Sequence, residues 1–196
     1  MAEVLLFHHA LGLTPGVVEL AERMRAAGHT VHTPDLYDGH VFDDLEAGVG
    51  YAREVGFEEV RARGLAAAEG LPDGLVYAGI SLGVVPAQQL AQTRPGAAGA
   101  LLLEACLPAT ELADGWPDGV PVQVHGMDAD PFFAEEGDLD AARALAAAAP
   151  DAEVFTYPGD RHLFVDPGLP SFDPEAAALL GERVLAFLDR VGATES

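Results

Sequence analysis

The chain has 196 residues, enough for one domain that buries roughly 70% of the surface its unfolded form exposes. Its formal net charge of −22 excludes the cationic surface that nucleic acid or anionic lipid would require. With one cysteine, Cys106, and no apolar run near the ~20 residues that cross a bilayer, the sequence excludes an internal disulfide and predicts no membrane span. We therefore expect a single cytoplasmic domain over residues 1–196, with Cys106 as a small core residue. The acidity is interpreted as a solvated surface, with a salt-rich habitat as the alternative.

Six apolar runs of strand length follow one another along the chain, each bounded by Gly, Pro or Asp. They occupy 4–10, 30–36, 74–80, 99–106, 121–127 and 152–159. The segments between them show helical spacing. One such apolar face holds Val17, Leu20, Ala21 and Met24. Alternating strands and helices predict a mostly parallel sheet of about six strands with helices on both faces, because parallel strands are joined by right-handed crossovers.

Two further segments complete the prediction of elements. The last element is predicted to be a helix that begins at Pro174, with Asp173 as its cap. An inward-facing stripe follows at helical spacing: Leu180, Val184, Phe187 and Val191. Residues 37–57 show no sustained period, and we expect a loop and helices there that cover the site.

The stretch GISLG, residues 79–83, lies between an apolar run and a helical pattern. Ser81 would then sit on a sharp strand-to-helix turn, where a side chain at Gly79 or Gly83 would collide with the neighbouring element. The start of the helix would point free amides at a bound anion. Ser81 is thus the predicted nucleophile, although glycine-rich turns also produce this five-residue pattern by chance. Pro86 lies inside the predicted helix and is expected to remove a hydrogen bond, at up to ~3 kcal/mol.

A serine hydroxyl needs a histidine to take its proton and an acid to orient that histidine. Behind an elbow of this type, both partners follow the serine in the chain, each after a later strand. His162, in YPGDRHLF after the last apolar run, meets that requirement. Asp130, in HGMDADPFF after the fifth run, is the favoured acid because the phenylalanines behind it would bury its carboxylate. Asp128 remains the alternative.

These residues, with ALGLTPG (10–16) and PDLYDG (34–39), make the chain resemble the dienelactone hydrolases of the α/β-hydrolase superfamily. The resemblance covers nearly the whole chain. It implies a three-layer α/β-hydrolase fold and a triad in the order nucleophile, aspartate, histidine. It also implies that the backbone amides of Ala10 and Leu82 form the oxyanion hole.

Three positions depart from the dienelactone-cleaving members of that family. Those members are expected to carry a cysteine nucleophile, a glutamate that activates it and an arginine that binds substrate. This chain has Ser81, His9 and Asp166 at the matching positions. Because an aspartate in place of an arginine would repel an anionic lactone, the resemblance implies the fold and the hydrolytic class rather than dienelactone as substrate.

The substrate cleft is expected beside the first strand and the elbow. His9 and Leu11 flank Ala10, and Glu104 ends the fourth apolar run, so these three are the predicted lining residues; a solvated strand end is the alternative for Glu104. Adjacent strand residues such as His8 and His9 point to opposite faces, so no metal site is predicted.

The sequence as a whole predicts a cofactor-independent serine hydrolase that cleaves a small-molecule carboxylic ester, lactone or thioester through an acyl-enzyme intermediate. An acyltransferase with the same triad and a noncatalytic binding protein on the same fold are the alternatives. Nothing in the sequence specifies a homo-oligomer.

Overall fold

The computed structural model describes residues 1–194, with side chains up to residue 193. Within this range six strands form one sheet: β1 (Glu3–Phe7), β2 (Thr30–His32), β3 (Leu75–Ile80), β4 (Gly99–Leu103), β5 (Val122–Met127) and β6 (Ala152–Tyr157). Their order across the sheet is β2-β1-β3-β4-β5-β6, and every pairing is parallel. The predicted parallel sheet of about six strands is confirmed.

Eight α-helices connect and follow the strands in the same range of residues. They are α1 (Pro15–Ala26), α2 (Leu45–Val55), α3 (Phe57–Ala66), α4 (Val84–Thr93), α5 (Ala109–Leu112), α6 (Pro131–Glu135), α7 (Asp138–Ala148) and α8 (Pro174–Thr194). One apolar cluster joins the sheet to α1 and α8, and a second joins its other face to α3, α4 and α7. Helices therefore cover both faces, as the alternation of elements predicted. No helix within residues 1–194 has both the length and the apolar character needed to cross a bilayer.

The last helix begins where the sequence predicted a cap, and the first helix is capped in the same way. The Thr14 hydroxyl accepts a hydrogen bond from the amide of Val17 (3.2 Å), and Pro15 occupies the first position of α1. At α8, the Asp173 carboxylate accepts from the amide of Ala176 (3.1 Å). Both predicted apolar stripes are buried. Cys106 is likewise buried, as expected of a core residue.

Pro86 does not interrupt a helix, contrary to the prediction. Residues Ser81–Gly83 form a separate 3₁₀ turn and α4 begins at Val84, so Pro86 lies in the first turn of α4, where backbone amides have no partner inside the helix. A Cβ atom on Gly64 of α3 would come within 2.5 Å of the Cβ of Pro86. The proline ring therefore packs closely against α3, and the expected loss of a hydrogen bond does not arise.

Residues 37–57 form a loop, α2 and the start of α3. The amide of Phe42 donates to the carbonyl of Leu11 (3.0 Å), and a Cβ on Gly48 would lie 2.2 Å from the carbonyl oxygen of Ala10. The rings of Tyr37 and Phe42 pack edge to face. The segment thus packs against the loop that follows β1 and supports it from outside.

The sheet order places the ends of two strands side by side. The chain runs from β1 to β2 on one side and then returns to β3 on the other side of β1. In parallel sheets, ligands bind at the carboxyl ends of the strands where the order reverses in this way. Phe7 pairs with Gly79, so the residues after Phe7 and the elbow around Ser81 leave the sheet together.

Candidate active site

The elbow holds Ser81 in a conformation that few residues other than glycine adopt, with a φ of 49°. A Cβ atom on Gly79 would lie 2.2 Å from the carbonyl oxygen of Gly83, and one on Gly83 would lie 2.6 Å from the carbonyl oxygens of Phe7 and His8. Strand β3, the following turn and the end of β1 therefore approach too closely for any side chain at positions 79 or 83. This close approach fixes the direction in which the Ser81 hydroxyl leaves the sheet.

Ser81, His162 and Asp130 form a continuous row of hydrogen bonds. The Oγ atom of Ser81 lies 2.9 Å from Nε2 of His162, and Nδ1 of His162 lies 2.7 Å from Oδ2 of Asp130. Because Nδ1 donates to the carboxylate, Nε2 of the neutral ring is free to accept the serine proton. Asp128, the alternative acid, is exposed and accepts the amide of Gly159 (3.1 Å) instead. The structure therefore brings together Asp130, not Asp128, with the histidine.

The surroundings of His162 favour its protonated form. Burial by itself would lower the pKa of His162, but the hydrogen bond to Asp130 and the negative charges of Glu104, Asp130 and Asp138 outweigh it and raise that pKa. Asp130 is fully buried, and its second oxygen accepts the amide of Phe132 (2.9 Å). An imidazolium formed at His162 would therefore be stabilised by a fixed carboxylate.

A second carboxyl group, Glu104, stands beside this row at the end of β4. It is 1% exposed and has a φ of 65°. Its oxygens accept the backbone amides of Leu163 and Val165, and Oε2 lies 3.8 Å from Nδ1 of His162. Burial raises the pKa of Glu104 to about 7. Glu104 thus holds the loop that follows His162.

Glu104, Asp130 and His162 also offer ligand atoms within 4.8 Å of one another, the spacing of a metal site. Each of these atoms already has a partner: Nδ1 of His162 donates to Asp130, and both oxygens of Glu104 accept backbone amides. The ligand atoms of this cluster are therefore already used in hydrogen bonds within the protein.

A cavity of about 240 Å³ opens beside the Ser81 hydroxyl. Its walls are formed by Ser81, Leu82, Val85, Glu104, Ala105, Leu107, Phe132, Glu136, Asp138 and His162. Glu104 is thus on the wall, while segment 37–57 and the predicted lining residues His9 and Leu11 are not. Ala10 is buried in the loop after β1, whose start lies against the elbow.

The sequence of residues 1–192 matches the profile of the dienelactone hydrolase family. The chain belongs to the dienelactone hydrolase family. It is therefore a member of a family of hydrolases, in agreement with the resemblance drawn from its motifs. No curated protein sequence gives a significant match.

Solved structures share the α/β-hydrolase fold of this family member. A putative dienelactone hydrolase from Klebsiella pneumoniae superposes with a TM-score of 0.72 at 20% identity, over 96% of this chain and 87% of that one. The dienelactone hydrolase-like promiscuous phosphotriesterase P91 from metagenomic libraries gives 0.69 at 21%, over 97% and 87%. Thermogutta terrifontis esterase 2, phosphonylated by cyclosarin, gives 0.70 at 15%, over 97% and 83%. The predicted fold class is confirmed.

His9 and Asp166 contact each other. They occupy the two positions at which the dienelactone-cleaving members were expected to carry a glutamate and an arginine. Nε2 of His9 lies 2.9 Å from Oδ2 of Asp166, and Nδ1 of His9 accepts the amide of Leu11 (3.2 Å). Asp166 also accepts from the hydroxyl of Thr14 (2.5 Å) and the amide of Gly168 (2.7 Å). Burial would raise the pKa of Asp166, but these hydrogen bonds outweigh it and lower that pKa.

This contact corrects two predictions about the cleft. His9 and Leu11 do not line it, because both are buried and the two ring nitrogens of His9 are used inside the protein. Asp166 is 1% exposed and does not face the cavity, so it cannot repel a substrate there as predicted. The pair instead ties the loop after β1 to the loop after β6. Sequence reasoning missed this pairing, although the joint departure of both positions from the family pattern was a usable signal.

Proposed function

We propose that this member of the dienelactone hydrolase family is a cofactor-independent serine hydrolase that cleaves a carboxylic ester, lactone or thioester through an acyl-enzyme intermediate. The observation that carries the proposal is the row from Ser81 through His162 to Asp130, with heavy-atom distances of 2.9 and 2.7 Å, at the edge of a cavity. The esterase among the proteins of similar fold supports ester chemistry.

In the first step, the Ser81 oxygen attacks the carbonyl carbon of the substrate while its proton moves to Nε2 of His162. A bond forms between Oγ and carbon, and the carbonyl π electrons move onto oxygen. Asp130 holds the ring in the required tautomer and stabilises the imidazolium. General base catalysis of this kind typically contributes about 10²–10⁴-fold.

The negative charge that develops on the carbonyl oxygen needs donors that are already in place. We assign this role to the amides of Ala10 and Leu82. Leu82 lies in the 3₁₀ turn that leads into α4, where backbone amides have no partner inside a helix. Ala10 lies after β1, the strand next to β3. One such donor is typically worth about 3 kcal/mol in the transition state. Gly79 and Gly83 permit this arrangement because they allow the elbow to pass so close to β1.

The intermediate then collapses as the bond to the leaving group breaks, and His162 returns its proton to the departing oxygen or sulfur. A water molecule enters, His162 takes one of its protons, and the resulting hydroxide attacks the acyl carbon. The bond to Ser81 breaks, and the serine oxygen recovers the proton from His162. The products are a carboxylic acid and an alcohol or thiol, with the enzyme restored.

A fluorophosphonate probe and a p-nitrophenyl ester test the proposal together. The probe is expected to modify Ser81, and Ser81→Ala is expected to lose both labelling and at least about 10³-fold in kcat. Ser171, the other serine of the described residues, is a matched control: it donates to the carbonyl of Leu163 (3.4 Å), and Ser171→Ala is expected to retain labelling and turnover. Near-normal hydrolysis by Ser81→Ala would refute the mechanism.

A further inference from the structure

The walls of the cavity beside Ser81 carry negative charge and no fixed positive charge. Three of the lining residues are acidic: Glu104, Glu136 and Asp138. The chain has no lysine, and none of its arginines lines this cavity. The titratable base on the wall is His162, which is neutral when it acts on Ser81. A substrate that enters the cavity is therefore surrounded by carboxyl groups.

Two of these carboxylates, Glu136 and Asp138, which we call the rim, form no ion pair with an arginine among residues 1–194. Glu136 follows the last residue of α6, is exposed, and takes part in no ion pair among residues 1–194. Asp138 begins α7, is half-buried, and accepts the amide of Cys106 (2.7 Å). Burial and, to a smaller extent, the charge of Glu136 raise the pKa of Asp138, against the hydrogen bond from Cys106 and the nearby His162. A cation in the cavity would be attracted by both carboxylates.

An aromatic ring lies beside the same rim. Phe132 is 43% exposed, lines the cavity, and its ring centroid lies 4.7 Å from that of His162. The face of an aromatic ring attracts ammonium groups, and aromatic walls are a common way to recognise quaternary ammonium. Phe132 thus adds a second, uncharged preference for a cation next to the reacting serine.

The basic side chain nearest to the site in sequence faces elsewhere. Arg161 precedes His162, but its guanidinium donates to the carbonyl of Phe172 (2.9 Å) and lies 3.8 Å from the carboxylate of Asp173. It is therefore held by the segment that leads into α8. Apart from His162, no basic side chain lines this cavity to hold a carboxylate or phosphate group of a substrate.

Building on the proposed hydrolase function, we propose that this cleft selects small esters or thioesters that carry an ammonium group. The Phe132 ring and the carboxylates of Glu136 and Asp138 hold the cation while Ser81 attacks the carbonyl carbon. The cleft that these residues line has a volume of about 240 Å³, room for the reacting carbonyl group and the ammonium group of a small substrate. The carboxylate of Asp130 adds negative charge behind His162.

Three matched thioesters test the charge preference of the full chain. Acetylthiocholine carries a trimethylammonium group, S-(3,3-dimethylbutyl) thioacetate is its uncharged isostere, and S-(2-carboxyethyl) thioacetate is anionic. Thiol release measures kcat/KM for each. At low ionic strength, we expect the cationic substrate to exceed its isostere by at least about fivefold, with the anionic one lowest. Salt at 0.5 M is expected to reduce the charge-dependent part of this difference, because exposed charges are then screened within a few ångströms.

A pair of variants separates the local charge from the charge of the whole protein. Glu136→Gln is expected to reduce the preference for the cationic thioester about two- to threefold, which lies within the range measured for exposed ion pairs. Glu135→Gln makes the same change in net charge at an exposed neighbour in α6 that does not line the cavity, and it is expected to leave the preference unchanged.

The outcomes distinguish the two proposals. Equal kcat/KM for the cationic thioester and its isostere would overturn the inferred selectivity while leaving the hydrolase intact. An equal loss of preference in Glu135→Gln and Glu136→Gln would overturn the role of the rim, because the preference would then come from overall charge. No turnover of any thioester or p-nitrophenyl ester, together with no probe labelling at Ser81, would overturn the proposed function itself.

Discussion

Replacement of Glu104 by glutamine changes one buried carboxyl group into a neutral group of nearly the same shape. In the native protein, the two oxygens of Glu104 accept the backbone amides of Leu163 and Val165. Glutamine offers one oxygen and one NH₂ group, so one of those amides loses its acceptor. A buried donor without a partner costs about 1–3 kcal/mol. Because the contact with Val165 is the longer one, at 3.4 Å, we expect about 1 kcal/mol, near the low end.

The stability difference between native protein and Glu104→Gln should depend on pH. The pKa of Glu104 is about 7 in the folded protein against an ordinary value of 4.5. Between these values the unfolded chain has lost the proton and the folded chain retains it, so native stability falls as pH rises through this window. The glutamine variant lacks this contribution. The variant should therefore be less stable than native at pH 5, and the difference should shrink by up to about 3 kcal/mol by pH 8 and change sign.

Thermal unfolding of both proteins at pH 5 and pH 8 measures this difference. For a chain of this length, each kcal/mol corresponds to about 2–4 °C in Tm. Glu54→Gln, an exposed change in α2, is the matched control and should show no such crossover. Glu104→Gln, unlike the control, should also move the acid limb of the pH profile of kcat/KM to lower pH, since the charge of Glu104 is one of the causes that raise the pKa of His162. A Tm difference that is constant, or that grows as pH rises, would refute the reasoning.

Two further substitutions test the packing around the site. Gly79→Ala would place a Cβ atom 2.2 Å from the carbonyl oxygen of Gly83. We expect it to lower the free energy of unfolding, measured in urea, by about 1–3 kcal/mol or more. The control Gly50→Ala, at a helical glycine with open space around it, should leave that free energy unchanged or raise it. Wild-type stability in Gly79→Ala would contradict the tight elbow. Asp166→Asn removes the ionised acceptor of His9 and should cost about 1.5–3 kcal/mol, with Asp140→Asn as an exposed control. Because the pKa of Asp166 is lowered in the folded protein, this loss should be present at neutral pH and should fade on acidification. A Tm difference that persists unchanged at low pH would argue against an ionised Asp166.

The sheet was predictable because parallel strands covered on both faces need continuous apolar runs, and six such runs are visible in the sequence. The residues at which the strands end were less predictable. The second run was predicted over 30–36, but β2 ends at His32, two residues before Pro34, which has no amide to donate to a neighbouring strand. The place of Pro86 in its helix was also misjudged, because the 3₁₀ turn at Ser81–Gly83 and the first turn of an α-helix have the same sequence pattern.

The row of Ser81, Asp130 and His162 was predictable as a set of residues because each follows its own strand in a known chain order. The contacts of Glu104 and His9 were not. Each joins residues far apart in the chain, and nothing near a glutamate or histidine in sequence indicates which distant backbone amide or carboxylate it will meet. The resemblance to the family suggested separate roles for His9 and Asp166. In the structure the two residues act together, because the hydrogen bond between them connects the loop after β1 to the loop after β6.

The contact between His9 and Asp166 joins residues 157 positions apart, and Ser81 and His162 are separated by 81. During synthesis the elbow therefore leaves the ribosome long before His162. Under the proposed mechanism, the nascent polypeptide carries the nucleophile without its base until residue 162 has been translated and the loop after β6 has docked. A product that ended before this residue would be unable to catalyse the proposed reaction.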